Sequence, residues 1–349
     1  MKKRNFIFIV LTFVCHFGFS QSSKKDALKI DITTAADGKK ATVTVEGQPF
    51  TELIFTDTLE KHFLYPIYAP GGEIITRGFP YAPRPNEATD HPHHVGLWLN
   101  YENVNGLDFW NNSYAIPAEK KDKYGSIKSG KILKTKSGKK GELRLNATWV
   151  NNKNQVLLDE NTTFYFKADA DKRIIDRVTT LTARVDVTMA DVKDGMLGLR
   201  LGRELEMPNK EKQEFKDDKG NVTIVEGNAG ASGNYITSEG KEGDAAWGTR
   251  AQWCMLYGKV GNDSTSVVII DHPRNVGYPT YWHARGYGLF AANPLGQKVF
   301  SEGREVLNFS LKQGQSATFR YRVVIASGSQ HLQKEEISLL AGDFYQTVR

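Results

Sequence analysis

Two short stretches of the chain concentrate residue types that can do chemistry. Residues 90–98 read DHPHHVGLW, and residues 271–288 begin with DHPRN and end with YWHARGYG. Together they hold five of the eight histidines. These are His91, His93, His94, His272 and His283. Imidazole exchanges protons near neutral pH, and it can also bind a hydroxyl group or ligate a metal ion.

The aromatic residues and arginines near these histidines favour a sugar site. Flat aromatic faces suit the apolar faces of pyranose rings, and a guanidinium offers five donors in a rigid fork. We predict that His93 and His283 act as acid and base, and that the other three histidines orient them or the substrate. The substrate-binding residues predicted around them are Arg77, Arg84, Trp98, Asn100, Trp110, Tyr281 and Arg285.

A metal centre is an alternative use of the same histidines. In an extended segment His91 and His93 project to the same side, because side chains alternate with period two. The ligand set would be Asp90, His91, His93 and His283, with a divalent ion and an open coordination position. No other cofactor is indicated. Glu204 and Glu206 could supply a further carboxylate, unless they lie on a solvated strand edge.

The elements that must position these residues read as strands. Apolar and polar residues alternate with period two in several segments separated by turn residues. These segments are residues 42–45, 143–150, 162–166, 173–185, 267–270 and 319–325. Helical patterns are few, and the best lies at residues 335–340. Antiparallel strands without βαβ alternation predict an all-β fold, a large antiparallel β-sandwich with few short helices.

The N-terminal twenty residues have the order of an export signal: a basic start, a short apolar run and small residues at the end. We therefore expect residues 1–20 to be cleaved and residues 21–349 to form one sandwich domain that is periplasmic or secreted. Removing the leader leaves 43 basic against 40 acidic residues, so the formal charge falls from +6 to +3. No later segment of the sequence is apolar enough to span a bilayer. The lysines are not interleaved with aromatic residues, as is typical of nucleic-acid-binding surfaces, so nucleic-acid binding is not expected.

At the histidine stretches the sequence resembles the DUF6807 family, which also carries the label methane oxygenase PmoA. The resemblance rests on DHPHHVGLW, on RGFPYAPRP at residues 77–85 and on DHPRNVGYPTYWHARGYGLF at residues 271–290, and it covers roughly residues 50–325. A particulate methane oxygenase subunit needs several membrane helices, and a di-iron oxygenase needs paired Glu-x-x-His helices. This sequence has neither pattern, so the label is not expected to describe its activity.

A second resemblance is to the galactose-mutarotase-like supersandwich proteins, through the strand succession from Trp149 to Arg200. It implies a carbohydrate ligand. The sequence therefore predicts an exported carbohydrate-active protein, with His acid/base chemistry of epimerase, lyase or hydratase type on a sugar or oxidised glycoside. A glycan-binding protein without catalysis is the alternative from another class, because it needs the aromatic and arginine residues but gains little from several imidazoles.

Overall fold

The computed structural model of the protein describes residues 26–55, 60–216 and 222–348. The leader predicted for residues 1–20 lies outside this part of the chain. Twenty strands account for most of the regular structure. In chain order they are β1 (Ile30–Thr34), β2 (Lys40–Val45), β3 (Gln48–Ile54), β4 (Phe63–Ile67), β5 (Leu97–Tyr101), β6 (Ser126–Lys136), β7 (Gly141–Val150), β8 (Val156–Ala168), β9 (Lys172–Ala183), β10 (Val187–Met189), β11 (Gly195–Arg200), β12 (Lys212–Lys216), β13 (Val222–Glu226), β14 (Asn234–Thr237), β15 (Trp253–Val260), β16 (Asp263–Asp271), β17 (Tyr281–Arg285), β18 (Leu289–Asn293), β19 (Phe309–Leu311) and β20 (Ser316–Gly328).

Helices are few and short apart from one at the C-terminal end. The α-helices are α1 (Gln297–Phe300) and α2 (Lys334–Thr347), and short 3-10 turns lie at Ala118–Lys123, Arg203–Leu205 and Gly243–Ala246. Helix α2 begins with a capping box in which the side chains of Gln333 and Glu336 bond each other's backbone N–H groups. No helix among the described residues is long and apolar enough to cross a membrane.

Two eight-stranded antiparallel sheets form the body of the protein. The first sheet has the strand order β1-β2-β3-β4-β5-β11-β18-β17, and the second has β14-β15-β16-β20-β9-β8-β7-β6. Two small ribbons, β10-β19 and β12-β13, flank them. Strands that are distant in the chain therefore lie side by side, and the first sheet carries both histidine stretches at its β5 and β17 strands.

The main core lies between the two sheets, where alternate side chains of each strand meet. Leu97 and Leu99 of β5 and Val323 and Ile325 of β20 all belong to this core, and all four are buried. Burying apolar area in this way contributes about 25 cal/mol per Å². The period-two pattern in the sequence is the local signature of these half-buried strands.

Each sheet also covers its outer face, in a different way. On the second sheet Val268, Ile270 and Val324 pack against Ile337 and Phe344 of α2. On the first sheet the outer face holds a separate cluster of aromatic and aliphatic side chains. These are Ile54, Phe63, Tyr65, Val95, Trp98, Trp110, Leu289 and Ala291, with Tyr287 at the edge.

The all-β, antiparallel sandwich predicted from the sequence is confirmed. Five of the six strand-like segments lie within a strand of the structure, and the sixth, residues 173–185, runs two residues past the end of β9. The helix predicted at residues 335–340 lies in the N-terminal half of α2. One local prediction is wrong. Residues 91–94 do not form an extended segment, because the N–H of His94 donates to the carbonyl of His91 in a turn.

Candidate functional site

The outer face of the first sheet brings the two histidine stretches together. In the strand register His283 pairs with Ala291, Ala291 with Gly198, and Gly198 with Trp98. Residues paired directly across neighbouring strands share a face. His283 and Trp98 therefore lie on the same surface, three strands apart, although their stretches are far apart in the chain.

Arg77 holds the loop that carries the first three histidines. Its two terminal nitrogens donate to four backbone carbonyls of the loop at 2.9–3.1 Å, those of Ala88, Asp90, His91 and His94. Nη1 also bonds the Asp90 carboxylate at 3.1 Å. Arg77 is buried, and burial together with the charge of Arg200 lowers its pKa to about 9. Both terminal nitrogens of Arg77 therefore hold the loop in position.

His91 is the exposed histidine of this loop. Its Nδ1 lies 2.5 Å from Oδ2 of Asp90, and 42% of its side chain is accessible. Burial alone would raise the pKa of Asp90, but the hydrogen bond from His91 and the charges of Arg200, His91 and Arg77 hold it well below its usual range. The ionised carboxylate accepts the hydrogen bond from Nδ1, which makes Nδ1 the proton-bearing nitrogen and leaves Nε2 as an acceptor in the neutral ring.

His93 and His94 are buried beneath His91. The ring of His94 stacks on His91 with centroids 4.9 Å apart, and on Trp98 at 5.6 Å. The ring of His93 meets His94 edge-on at 4.2 Å. Burial lowers the pKa of both histidines well below the ordinary value, and neighbouring cationic groups add to the effect. Both rings are therefore neutral at pH 7 and form the floor under His91.

His283 is buried at the far end of the same face. Its Nδ1 lies 3.3 Å from Oδ1 of Asp194, without the alignment of a hydrogen bond. Burial and the charges of Lys193 and Arg285 lower the pKa of His283 to about 3. Asp194 itself has a raised pKa, chiefly from burial, and the charge of Lys193 is the largest effect opposing the rise. Asp194 is thus a carboxylate beside His283.

An open cleft of about 590 Å³ is lined by Tyr287 and by none of the five histidines. Tyr287 forms the shared wall, since its ring stacks on His91 with centroids 5.6 Å apart and also lines the cleft. Trp247, Arg285 and Glu206 line it further out. Trp247 is 38% exposed, and the Arg285 guanidinium lies 6.0 Å from its ring and 5.8 Å from that of Tyr287. The cleft therefore offers aromatic surfaces and a cation to a polar ligand.

The other predicted binding residues are placed as supports. Trp98 and Trp110 are buried and tilt against each other at 5.0 Å. Asn100 accepts from Nε1 of Trp98 at 3.0 Å and donates to a loop carbonyl. Arg84 bonds Glu87. Tyr281 stacks on Phe300 at 5.3 Å, on the side of α1.

His272 lies apart from the other four histidines. It is buried against helix α2, where its ring meets Phe344 edge-on at 5.0 Å and Tyr345 at 5.5 Å. Its Nδ1 accepts from the backbone N–H of Arg274 at 3.1 Å. Burial lowers its pKa to about 4. The two ends of the stretch 271–288 therefore lie in different places. His272 packs against α2, and only the β17 end lies on the outer face of the first sheet.

Three residues of this region were not singled out from the sequence as site residues. Arg200 is buried under Tyr287, with its guanidinium 4.7 Å from the ring centroid. Lys61 is buried 5.7 Å from the Trp98 ring centroid, and burial lowers its pKa to about 7. Trp247 lines the cleft and is 38% exposed. A cation at the end of a strand gives no sequence signal until the neighbouring strand is known.

The metal alternative gains no support from the arrangement of side chains. Among residues 26–55, 60–216 and 222–348, no group of three or more His, Cys, Asp and Glu side chains is arranged to hold a metal ion. The four ligands named for it are used otherwise, because His91 binds Asp90 while His93 and His283 are buried in separate contacts.

The comparison with protein families identifies the chain. The family described as "Family of unknown function (DUF6807)" matches residues 40–341. The chain belongs to DUF6807. Both histidine stretches fall within the matched DUF6807 region, as the sequence resemblance predicts. A comparison with curated proteins gave no match.

Solved structures with a similar arrangement include several carbohydrate-acting proteins. The GH36 alpha-galactosidase AgaB of Geobacillus stearothermophilus is 9% identical with a TM-score of 0.33, over 86% of this chain and 41% of its own. The Slr1438 protein of Synechocystis sp. PCC 6803 is 8% identical with a TM-score of 0.34, over 93% and 100%. A protein of Escherichia coli K12 provisionally called an aldose 1-epimerase is 9% identical with a TM-score of 0.33, over 86% and 99%.

The DUF6807 chain thus spans about two fifths of the length of the alpha-galactosidase chain that it matches. At these identities and TM-scores the likenesses assign no activity to it.

Proposed function

We propose that this DUF6807 protein is a carbohydrate-active enzyme in which His91 moves a proton on a sugar bound in the cleft beside Tyr287. The observation that carries the proposal is the Asp90–His91 pair. It combines an ionised carboxylate, an imidazole with one nitrogen fixed as donor, and access to solvent next to a cleft. That combination is what general acid/base catalysis by histidine requires.

The proposal changes the roles expected from the sequence. His93 and His283 are buried and have strongly lowered pKa values. Such rings accept hydrogen bonds but hold a proton poorly at pH 7. His91 replaces them as the proton-transferring group, and His93 and His94 support its ring. That His93 and His283 also contact the substrate stays a prediction from the sequence.

The sugar is inferred from the walls of the cleft. Tyr287 and Trp247 present aromatic rings, and Arg285, Asn228 and Glu206 line the same cleft with polar groups. A pyranose has apolar C–H faces and a rim of hydroxyl groups, and it fits such a lining. Glu206 is buried, and burial raises its pKa, which suits a carboxyl group that donates a proton.

The reaction class follows from what one imidazole base can do. Nε2 of His91 removes the proton from a carbon next to a carbonyl group; the C–H electron pair forms a C=C bond, and the carbonyl π pair moves onto the oxygen to give an enolate. Return of a proton to the opposite face gives an epimer. Departure of a neighbouring hydroxyl or alkoxyl group, which takes up a proton and leaves as water or an alcohol, gives elimination, and the reverse reaction is hydration. Epimerisation and elimination begin with this proton transfer and hydration ends with its reverse, so the class is tested at that step.

Hydrogen exchange at the sugar carbon is the direct test. The purified protein is incubated in D₂O with a panel of aldoses, ketoses, uronic acids and keto-sugars, and deuterium incorporation next to the carbonyl is followed by NMR. We expect exchange with at least one sugar, and a loss of about 10²-fold or more in His91→Gln. His331→Gln is the matched control, because His331 stacks on Tyr257 away from the cleft. Sugar binding without any exchange would instead favour the non-catalytic glycan-binding protein.

A further inference from the structure

Arg200 is a fully buried cation that lacks hydrogen-bond partners. Its relative exposure is 0%, and none of its three guanidinium nitrogens has a partner within the described part of the chain. Its closest carboxylate contact is an ion pair with Asp90, from Nη2 to Oδ1 at 3.8 Å. A buried arginine normally satisfies most of its five donors, since an unmade bond to a charged group is costly. These donors are therefore available to a ligand.

The charge around Asp90 is unbalanced. Its carboxylate meets Arg77 at 3.1 Å, Arg200 at 3.8 Å and His91 at 2.5 Å. Both terminal nitrogens of Arg77 donate to loop carbonyls, whereas no guanidinium nitrogen of Arg200 has a hydrogen-bond partner in the described part of the chain. Glu87 acts on Arg77 and is bound by Arg84. Glu206 is near Arg200, but burial raises its pKa and thereby favours its neutral form. One negative group thus faces two permanent positive ones in a buried layer.

Tyr287 separates this cation from the cleft. The ring lies 4.7 Å from the Arg200 guanidinium, and the same ring contacts Arg285, which is exposed in the cleft. Tyr287 belongs to the short turn between β17 and β18, flanked by Gly286 and Gly288, and Gly288 has φ +80°. Both guanidinium groups thus lie against the same ring, that of Tyr287.

Three acidic residues also line the cleft, Glu206, Glu211 and Asp244. Glu211 and Asp244 are exposed, so water and salt screen their charges. Glu206 is buried, and burial raises its pKa, which favours its neutral form. Arg200 and Arg285 are therefore opposed by acids that are either screened or favoured in the neutral form.

We propose that the cleft takes an acidic sugar whose carboxylate binds between Arg200 and Arg285 when the Tyr287 ring turns aside. The proposal rests on the sugar cleft described under the proposed function and deepens it by naming the substrate class. It does not depend on catalysis by His91, because a guanidinium pair binds a carboxylate in the ground state through charge-assisted hydrogen bonds.

Binding of matched sugars tests this directly. Isothermal titration calorimetry on the full chain compares D-glucuronate with its neutral methyl ester, with D-glucose and with acetate. We expect D-glucuronate to bind at least about tenfold more tightly than the ester and the two reference compounds, as one or more charge-assisted hydrogen bonds allow. Equal binding of the acid and the ester would overturn the proposal. Equal binding of acetate would mean an anion site without sugar recognition, which also overturns it.

Arginine variants locate the effect. Arg200→Gln and Arg285→Gln should each remove most of the preference for the acid over the ester, and Arg200→Lys should keep part of it. Arg304→Gln is the matched control, because Arg304 is an exposed arginine paired with Glu302. If Arg200→Gln shows no cooperative melting transition, Arg200→Lys and Arg285→Gln decide. An unchanged preference in both would place the carboxylate elsewhere and overturn the assignment.

The same variants keep this test apart from that of the proposed function. His91→Gln should lose hydrogen exchange and retain the preference for the acid. A protein that prefers the acid but shows no exchange would contradict only the catalytic role of His91. Exchange with neutral sugars alone would contradict only the acidic substrate.

Discussion

At the scale of single residues, burial decides which histidine can do acid/base work. His91 and His93 stand two positions apart, yet the first is exposed beside a carboxylate and the second lies under it with a lowered pKa. His283 is also buried, although the sequence marks it as strongly as His91. Residue type and spacing show where imidazoles cluster, and solvent access separates their roles.

The buried His283 gives a pH-dependent stability. Its pKa is about 3 in the folded protein, against an ordinary value of 6.5. The unfolded chain therefore binds the proton first, and stability falls as pH drops from about 6.5 toward 3. Between pH 7.5 and pH 5 this group alone costs about 2 kcal/mol of unfolding free energy. Between the same two pH values, the free energy of unfolding of His283→Gln should fall by about 2 kcal/mol less than that of the wild type. Urea denaturation at both pH values measures this difference. Identical pH dependence in the two proteins would show that His283 is not held neutral.

At the scale of elements, strand order brings distant segments into contact. β11 lies between β5 and β18, and its Gly198 leaves room for the rings of Trp98 and Trp110. A Cβ at Gly198 would lie 2.4 Å from Cζ2 of Trp98 and 2.8 Å from Cη2 of Trp110. The absence of a side chain at Gly198 therefore leaves room for the rings of Trp98 and Trp110, which pack beneath His94.

Gly198→Ala should disturb this floor. The added methyl group forces the two indole rings to shift, which typically costs about 1–3 kcal/mol. We expect a lower urea midpoint, a change in tryptophan fluorescence and weaker binding in the cleft. Gly328→Ala is the control, because a Cβ there meets one atom, the Gln330 carbonyl oxygen, at 3.8 Å. Wild-type stability and fluorescence in Gly198→Ala would mean that the rings are not packed on this strand.

At the scale of the whole molecule, the two sheets use their outer faces differently. Helix α2 covers the second sheet through Ile337, Ala341 and Phe344. The corresponding face of the first sheet carries the histidine loop and the cleft. His272 falls on the helix side and the other four histidines on the cleft side, so one sequence stretch serves both a structural contact and the candidate site.

Truncation within α2 should therefore affect stability without affecting the cleft. Phe344 is fully buried, and Phe344→Ala should cost about 3–5 kcal/mol. Leu339→Ala is the matched change on the same helix, and it should cost little because Leu339 is 76% exposed. Thermal melting measures both, and sugar binding by the folded Phe344→Ala protein should match the wild type. Equal losses in the two variants would contradict the packing of α2 on the second sheet.

The sequence by itself determined the fold class and the family. Period-two alternation is a local property of each strand, so segments such as 143–150 and 319–325 could be assigned without knowing their partners. The two histidine stretches could likewise be found by composition, because catalytic and binding groups concentrate in a few loops. The local backbone of the first stretch was not predicted, because residues 91–94 form a turn where the sequence suggested an extended segment.

Only the tertiary structure decided how these residues act. The pairing of β11 with β5 and β18 set Arg200 under Tyr287 and near Asp90, and no local pattern encodes a contact between such distant segments. The burial of His93 and His283, the exposure of His91 and Trp247, and the departure of His272 to α2 all follow from which sheet face each side chain meets. The alternation of apolar and polar residues is a local pattern that can be recognised in the sequence. Solvent access and charge pairing depend instead on which distant segments pack over each side chain.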